Sequence, residues 1–344
     1  MTKTITNAEV HTLAIDLAKT SFHIHAADRS GMKIASKPVN RSKLIQYVSN
    51  LQPCTVVMEA CGGANHFARK FTSMGHTVKL IAPQFVKPFV KSNKNDALDA
   101  QAICEASQRP DMRFVSPKDT AQQDIQSIHR ARSLVVAHRT ALSNQIRGLL
   151  TEYGIVLPQG ISILRRSLPS IVDSDNRELS ALFRELLQSL YSALIGVDQQ
   201  VESFNQKIEL LAKNDERCVR LQTIPGIGPM AATALVATLG DGSAFKDGRE
   251  ASAYLGLVPR QNSTGGRSTL LGISKRGDQY LRSLLIHGGR AVVRTSPKHS
   301  DYRSNWITDL ARRRNVNVAS VAVANKNVRT AWKILQDGNN YQTA

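Results

Sequence analysis

Apolar and polar positions change their rhythm several times along this chain, and each rhythm predicts a different kind of element. Residues 10–16 (VHTLAID) form an apolar-rich run, and residues 21–27 (SFHIHAA) alternate, so both read as strands. Asp28-Arg29-Ser30-Gly31 has hairpin-turn chemistry, and residues 32–39 return as a third strand. A helix over 41–51 follows, then a short buried strand over 55–58 that ends on Glu59. Gly62-Gly63, a further helix and a strand over 76–82 complete the run. A three-stranded meander followed by βαβ-type units predicts a mixed sheet covered by helices.

The next rhythm is helical. Over 119–152, Ile128, Val135, Leu142 and Leu149 recur on one face, with Arg130, Arg132, Arg139 and Arg147 between them. Pro158, Gly160 and Pro169 break the pattern. Phe183, Leu187, Leu190, Leu194, Val197, Val201, Phe204, Ile208 and Leu211 then recur at alternating steps of four and three, which is a coiled-coil seam. Gly196 within it costs about 1 kcal/mol. Such a seam packs inside one chain or between subunits; its length and the separateness of its flanks favour contact between subunits. The C-terminal third is helical again. Thr223-Ile224-Pro225-Gly226-Ile227-Gly228-Pro229 and an alanine-rich helix to Leu239 read as a helix-hairpin-helix. There Gly226 and Gly228 let the backbone approach a phosphate, or serve a tight turn between helices. A helix over 248–257, a polar loop over 258–268, a helix opened by GISKRG and running to 294, and a last helix over 319–335 with Trp332 in a core follow. The expected division is 1–118, 119–216 and 217–344.

Composition sharpens this picture. The 344 residues are 42% hydrophobic, with a formal net charge of +18. A globular chain with that surplus calls for a polyanion partner, and basic residues spread along its length suit long tracks of phosphate contact. Cys54, Cys61, Cys104 and Cys218 form no CxxC pair, which suits a reduced, cytosolic protein. The polar N-terminus has no signal-like run and no segment is apolar enough to cross a bilayer. The expected location is the cytoplasm.

Four acids carry the candidate chemistry. Asp16 and Glu59 each end an apolar strand, where an ionised carboxylate is costly unless something neutralises it. Asp96 and Asp99 stand three apart in a predicted helix over 93–107, on one face with β-carbons about 5–6 Å apart. The element order resembles a ribonuclease-H-like fold, and in that arrangement the strand ends and the helix meet. Four carboxylates around one site suit Mg²⁺, and two ions about 3.5–4 Å apart are the usual apparatus for in-line attack on a phosphodiester. Lys87, Lys91 and Lys94, just before the Asp pair, are candidate phosphate contacts or a solvated basic face. In the C-terminal third, Ser263, Thr264 and Ser268 lie among Arg260, Arg267, Lys275 and Arg276. A hydroxyl there can attack a phosphate or only hydrogen-bond to one, and spacing alone favours the second.

Together, LAIDLAK, VVMEACGG, NKNDALDAQAI, TIPGIGP, YLGLVPRQNSTGG and GISKRGDQYLR resemble the DEDD-type insertion-sequence transposases of the family numbered one-ten, and most closely its subgroup one-eleven-eleven. The likeness covers nearly the whole chain. It implies a RuvC-like N-terminal domain in which Asp16, Glu59, Asp96 and Asp99 bind one or two Mg²⁺. It implies a C-terminal transposase domain whose serine links covalently to DNA, and a structured non-coding RNA that pairs with donor and target DNA. It further implies a tetramer built from dimers, with one subunit's acids meeting another's serine. The family often has Ser-Gly at the nucleophile, whereas this chain has Ser263-Thr264-Gly265. Counting back from Lys275 selects Ser263, counting forward from Pro259 selects Thr264, and Ser268 is a remote third. Ser263 is taken as the nucleophile of an RNA-guided recombinase. Two rivals are a metal-dependent nuclease or junction resolvase that attacks with water, and a non-catalytic nucleic-acid-binding protein.

Overall fold

In a computed structural model the chain is described over residues 10–90, 95–173 and 179–342. Two compact units divide it, Met1–Thr120 and Ala121–Ala344.

The first unit is built on one six-stranded mixed sheet. Its elements are β1 (Thr12–Asp16), β2 (Ser21–Ala27), β3 (Lys33–Asn40), α1 (Arg41–Ser49), β4 (Thr55–Glu59), α2 (Ala64–Thr72), β5 (Thr77–Ile81), α3 (Pro83–Val86), α4 (Asp96–Ser107) and β6 (Phe114–Val115). The order across the sheet is β3-β2-β1-β4-β5-β6. β1 pairs antiparallel with β2 and parallel with β4, so the expected meander and βαβ units are both present. Alternation sorts the side chains. Leu13, Ile15, Val56 and Met58 are packed with Leu44, Phe67 and Phe71 of α1 and α2. Ala14, Val57 and Ile81 face the other way, onto Ala102, Ile103 and Ala106 of α4. Because successive side chains on a strand alternate between faces, Asp16 and Glu59, two residues beyond Ala14 and Val57, project on the α4 side.

The second unit is largely helical: α5 (Thr120–Thr151), α6 (Ile161–Asp173), α7 (Ala181–Asn214), α8 (Glu216–Gln222), α9 (Pro229–Leu239), α10 (Gly248–Tyr254), the strands β7 (Pro259–Thr264) and β8 (Arg267–Ile273), α11 (Gln279–Thr295), α12 (Tyr302–Arg313) and α13 (Val316–Asp337). Every position of the four-three seam on α7 is buried or half-buried. Its first half is covered from within the chain, since Phe183, Leu187 and Leu194 share a core with Leu142, Ile146 and Leu150 of α5 and Leu164 and Leu168 of α6. Pro169 lies inside α6 and does not end it. The arginines interleaved along α5 are largely engaged inside the unit. Arg132 Nε donates to Asn205 Oδ1 at 2.7 Å, Arg139 and Arg165 flank Asp198 at 3.2 Å each, and Arg147 donates to the carbonyls of Leu157, Pro158 and Gly160. α9 is buried almost all round, as its alanine-rich sequence allows, and packs with α8, α10, α11 and α13. Trp332 is half-buried against that core, its Nε1 donating to the Gly242 carbonyl at 3.0 Å.

The segment after α10 departs from the sequence reading. Residues 258–268 are not a loop: β7 and β8 form an antiparallel hairpin, turned by Gly265 and Gly266 at φ +57° and +77°, the backbone that a tight two-residue hairpin turn needs. GISKRG does not open a helix either; it ends β8 and leads to Asp278, whose carboxylate caps α11 by accepting from Leu281 N at 3.1 Å. From Pro259 to Gly272 every residue is exposed, so neither face of the ribbon carries the apolar alternation that marks a strand in sequence. Among the described residues, no helix is long and apolar enough to cross a membrane.

Candidate functional site

The acids meet where strand ends and helix start converge. Parallel pairing of β1 with β4 puts the C-terminal ends of both strands side by side, with Asp16 and Glu59 as their last residues. α4 begins there. Asn95 caps it by accepting from Ala97 N at 3.0 Å, and Asp96 and Asp99 occupy its first turn, where the helix dipole favours negative charge. One carboxylate oxygen from each of Asp16, Asp96 and Asp99 lies within 4.8 Å of the others. Glu59 stands beside this trio. Burial first, then the charges of Asp16 and Asp99, push its carboxyl above the ordinary carboxylate range. The donor set is all carboxylate oxygen, which suits hard divalent cations such as Mg²⁺ or Mn²⁺.

His23 is a neighbour that the sequence reading did not single out. It sits opposite Asp16 in the β1–β2 register, so both side chains share a face at about 4.5–5.5 Å between β-carbons. Burial holds its imidazole below the ordinary value, opposed by the charge of Asp96, and Nε2 lies 3.0 Å from Ser36 Oγ on β3. Register counted outward from the short connection over residues 17–20, between β1 and β2, was the signal that could have found it. Of the lysines before the Asp pair, Lys87 starts a short 3₁₀ turn; Lys91 and Lys94 lie outside the described residues.

Ser263 is on the exposed hairpin, in register with Ser268. Gln261 Nε2 donates to both hydroxyls, at 2.7 Å to Ser263 and 2.9 Å to Ser268. Pleating places Gln261, Ser263 and Ser268 on one face, and Thr264 with its register partner Arg267 on the other. The two candidate nucleophiles therefore point to opposite sides of the ribbon. Arg260, Lys275 and Arg276 are exposed near its base.

That base is rigidly held. Ser274 N donates to the Val258 carbonyl at 2.8 Å, and Lys275 N, at φ +56°, to that of Gly256 at 3.1 Å. Gly256 has φ +71°, and a β-carbon there would overlap the Arg276 backbone. Arg282 of α11 is buried, and its Nη1 donates to the carbonyls of Leu255 at 3.2 Å and Arg276 at 2.8 Å. One guanidinium thus ties both legs of the hairpin to α11.

The glycines of TIPGIGP divide in their surroundings. Gly226, at φ +88°, turns into the core, where a β-carbon would meet Val292 at 2.7 Å and the Gly288 carbonyl at 2.8 Å. Gly228 precedes α9 with open space around it.

Two family models match the chain: a DEDD transposase model over residues 13–155, and one described as Transposase IS116/IS110/IS902 family over 218–304. Among curated relatives, a probable family 20 transposase of Pseudomonas aeruginosa is 46% identical over 324 residues, covering 94% of this chain and 96% of the relative. The transposase for insertion sequence element IS1111A of Coxiella burnetii is 43% identical, covering 97% and 92%. The transposase for insertion sequence element IS1328 of Yersinia enterocolitica is 42% identical, covering 95% and 97%.

Proposed function

The chain belongs to the IS116/IS110/IS902 family of insertion-sequence transposases, and from that membership we propose an RNA-guided DNA recombinase that uses metal-binding acids and a serine nucleophile. The observation that carries the proposal is the convergence of Asp16, Asp96 and Asp99 within 4.8 Å, with Glu59 beside them. These four acids hold one or two Mg²⁺. When bound, the metal polarises the scissile phosphate and stabilises the charge that develops on it.

The chain's own residues do the rest. Ser263 Oγ forms a bond to phosphorus as the bond from phosphorus to a deoxyribose oxygen breaks; the serine proton is released and the departing oxygen takes one up. The phosphoserine link conserves the bond energy, so a deoxyribose hydroxyl of the exchanged strand rejoins the backbone by the reverse step. Arg260, Lys275 and Arg276, near the base of the hairpin, hold the DNA backbone that flanks the reacting phosphate, and Arg267, on the Thr264 face, holds a neighbouring phosphate. Gly228, opening α9, lets that backbone receive a phosphate, while Gly226 shapes the turn.

The partners are donor and target DNA duplexes and a structured guide RNA, a reading supported by the net charge of +18. Sequence choice then resides in base pairing, and the protein reads shape and backbone. The working form is a tetramer built from dimers, in which acids of one subunit (residues 1–118) act with the serine hairpin of another (217–344), joined through the long helices of 119–216.

A hydrolytic nuclease is the second reading, because an all-carboxylate cluster within the first unit is enough to hold metal for attack by water and needs no serine. Strand cleavage assayed with Mg²⁺, the element's RNA and labelled DNA tests the acid centre. Asp99→Asn is expected to lower cleavage by about a hundredfold or more while DNA affinity is kept. Cleavage undiminished in the variant would remove Asp99 from the chemistry, and no cleavage by the parent protein would reduce it to a nucleic-acid-binding module.

A further inference from the structure

A cavity of about 480 Å³ opens between α5, α9 and α11, entirely within the second unit. Its volume is in the range of small-ligand pockets, about 300–1,000 Å³. The space exists because small side chains face one another there: Ala137 on α5, and Ala234 and Ala237 on α9. Leu281 completes an apolar floor, and the ring of Tyr280 forms one wall.

That ring is fixed by a chain of hydrogen bonds. The Thr233 hydroxyl donates to the Pro229 carbonyl at 2.8 Å, so it accepts from His129 Nε2 at 2.9 Å. His129 Nδ1 is then left to accept from the Tyr280 hydroxyl at 3.0 Å. Burial, with the nearby charge of Arg132, pushes the His129 imidazole down to about 4, so it stays neutral and the chain keeps this direction throughout the neutral range. An aromatic wall held in place before any ligand arrives loses little freedom on stacking.

The rim has a different chemistry from the floor. Arg130 is the one arginine of the α5 series that is exposed, and it lines the cavity. Gln126 and Asp278 supply hydrogen-bonding groups at the edge. An apolar space with one pinned aromatic wall, polar edges and a cation at the entrance matches a heterocyclic ring with polar edges and an attached phosphate. An apolar protein side chain would leave the polar edge and the cation without a counterpart.

We propose that this cavity receives a single unpaired base of a DNA strand, stacked on Tyr280 with its phosphate at Arg130. The proposal rests on the reading of the chain as a DNA strand-exchanging enzyme, because exchange is what unpairs bases near the protein. DNA is favoured because Tyr280 follows directly from the hairpin that carries Ser263: β8 ends at Ile273 and α11 starts at Gln279.

The test is photocrosslinking of the full-length protein to a single-stranded DNA containing 5-iodouracil, with peptide mapping, alongside total binding by fluorescence anisotropy. A crosslink at Tyr280 is expected. Leu134→Trp blocks the mouth from a position that is 72% exposed, so the fold is undisturbed, and it should lower the crosslink about tenfold, the scale of one base–aromatic stack, with bulk binding retained. Ala234→Leu, which fills the floor, should do the same. DNA bound normally with no crosslink at Tyr280, or a crosslink that ignores both variants, overturns the pocket and leaves the enzyme reading standing. Crosslinking confined to an RNA strand of the same sequence also overturns it. Failure to bind either nucleic acid would overturn the underlying reading as well.

Discussion

Glu59 bears the strain of the metal-free site. Burial and the charges of Asp16 and Asp99 raise its carboxyl above the ordinary range, so the native state holds that proton more tightly than the unfolded chain does. The resulting cost to stability begins as pH rises past the unfolded carboxyl value, about 4.3, and is complete above the folded one. Glu59→Gln should therefore raise the melting temperature of the metal-free protein at neutral pH, and the gain should shrink as pH falls past the folded carboxyl value and be gone below about 4. Adding Mg²⁺ should stabilise the parent more than the variant; thermal scans with and without metal decide both points. Asp16 and Glu59 were legible in sequence because a carboxylate closing an apolar run is conspicuous. His23 was not, because its place opposite Asp16 depends on a register that the alternating residues of β2 do not state by themselves.

At the scale of elements, the sheet could be read because each strand has one or two buried faces, and burial writes itself as apolar alternation. The β7–β8 ribbon could not, since its residues from Pro259 to Gly272 are all exposed and a two-stranded hairpin has little stability of its own. Its stability comes from the root. Arg282→Met should cost about 1.5–3 kcal/mol in denaturant unfolding, the value of hydrogen bonds to a charged group, and should speed amide exchange in residues 258–274 more than elsewhere. Equal exchange across the second unit would mean that Arg282 supports the core generally and not the hairpin. The long seam on α7 was visible from its spacing, whereas its partner was not. Periodicity reports which face is apolar; whether α5, α6 or another chain covers that face depends on a loop path that composition does not encode.

For the whole molecule, the surplus of positive charge sets the manner of binding. With a net charge of +18 and arginines such as Arg132, Arg139 and Arg147 held inside, the exposed basic residues carry the contact with phosphate. DNA affinity should fall by about a thousandfold or more between 50 and 200 mM salt, as for six to ten phosphate contacts; a flat salt response would contradict backbone recognition. Composition pointed to this polyanion partner at once, and the four acids carry the expectation of phosphate chemistry that the cleavage assay tests. The serine remained ambiguous because Ser263 and Thr264 are neighbours in sequence, although they face opposite sides of the ribbon. The decisive measurement is to incubate the protein with its element's non-coding RNA, Mg²⁺ and labelled donor and target DNA, denature it, and look for DNA that migrates with protein. The account predicts an adduct that is kept in Thr264→Ala and lost in both Ser263→Ala and Asp99→Ala. Cleaved DNA with no adduct in any lane, and cleavage undiminished in Ser263→Ala, would contradict it and identify water as the nucleophile.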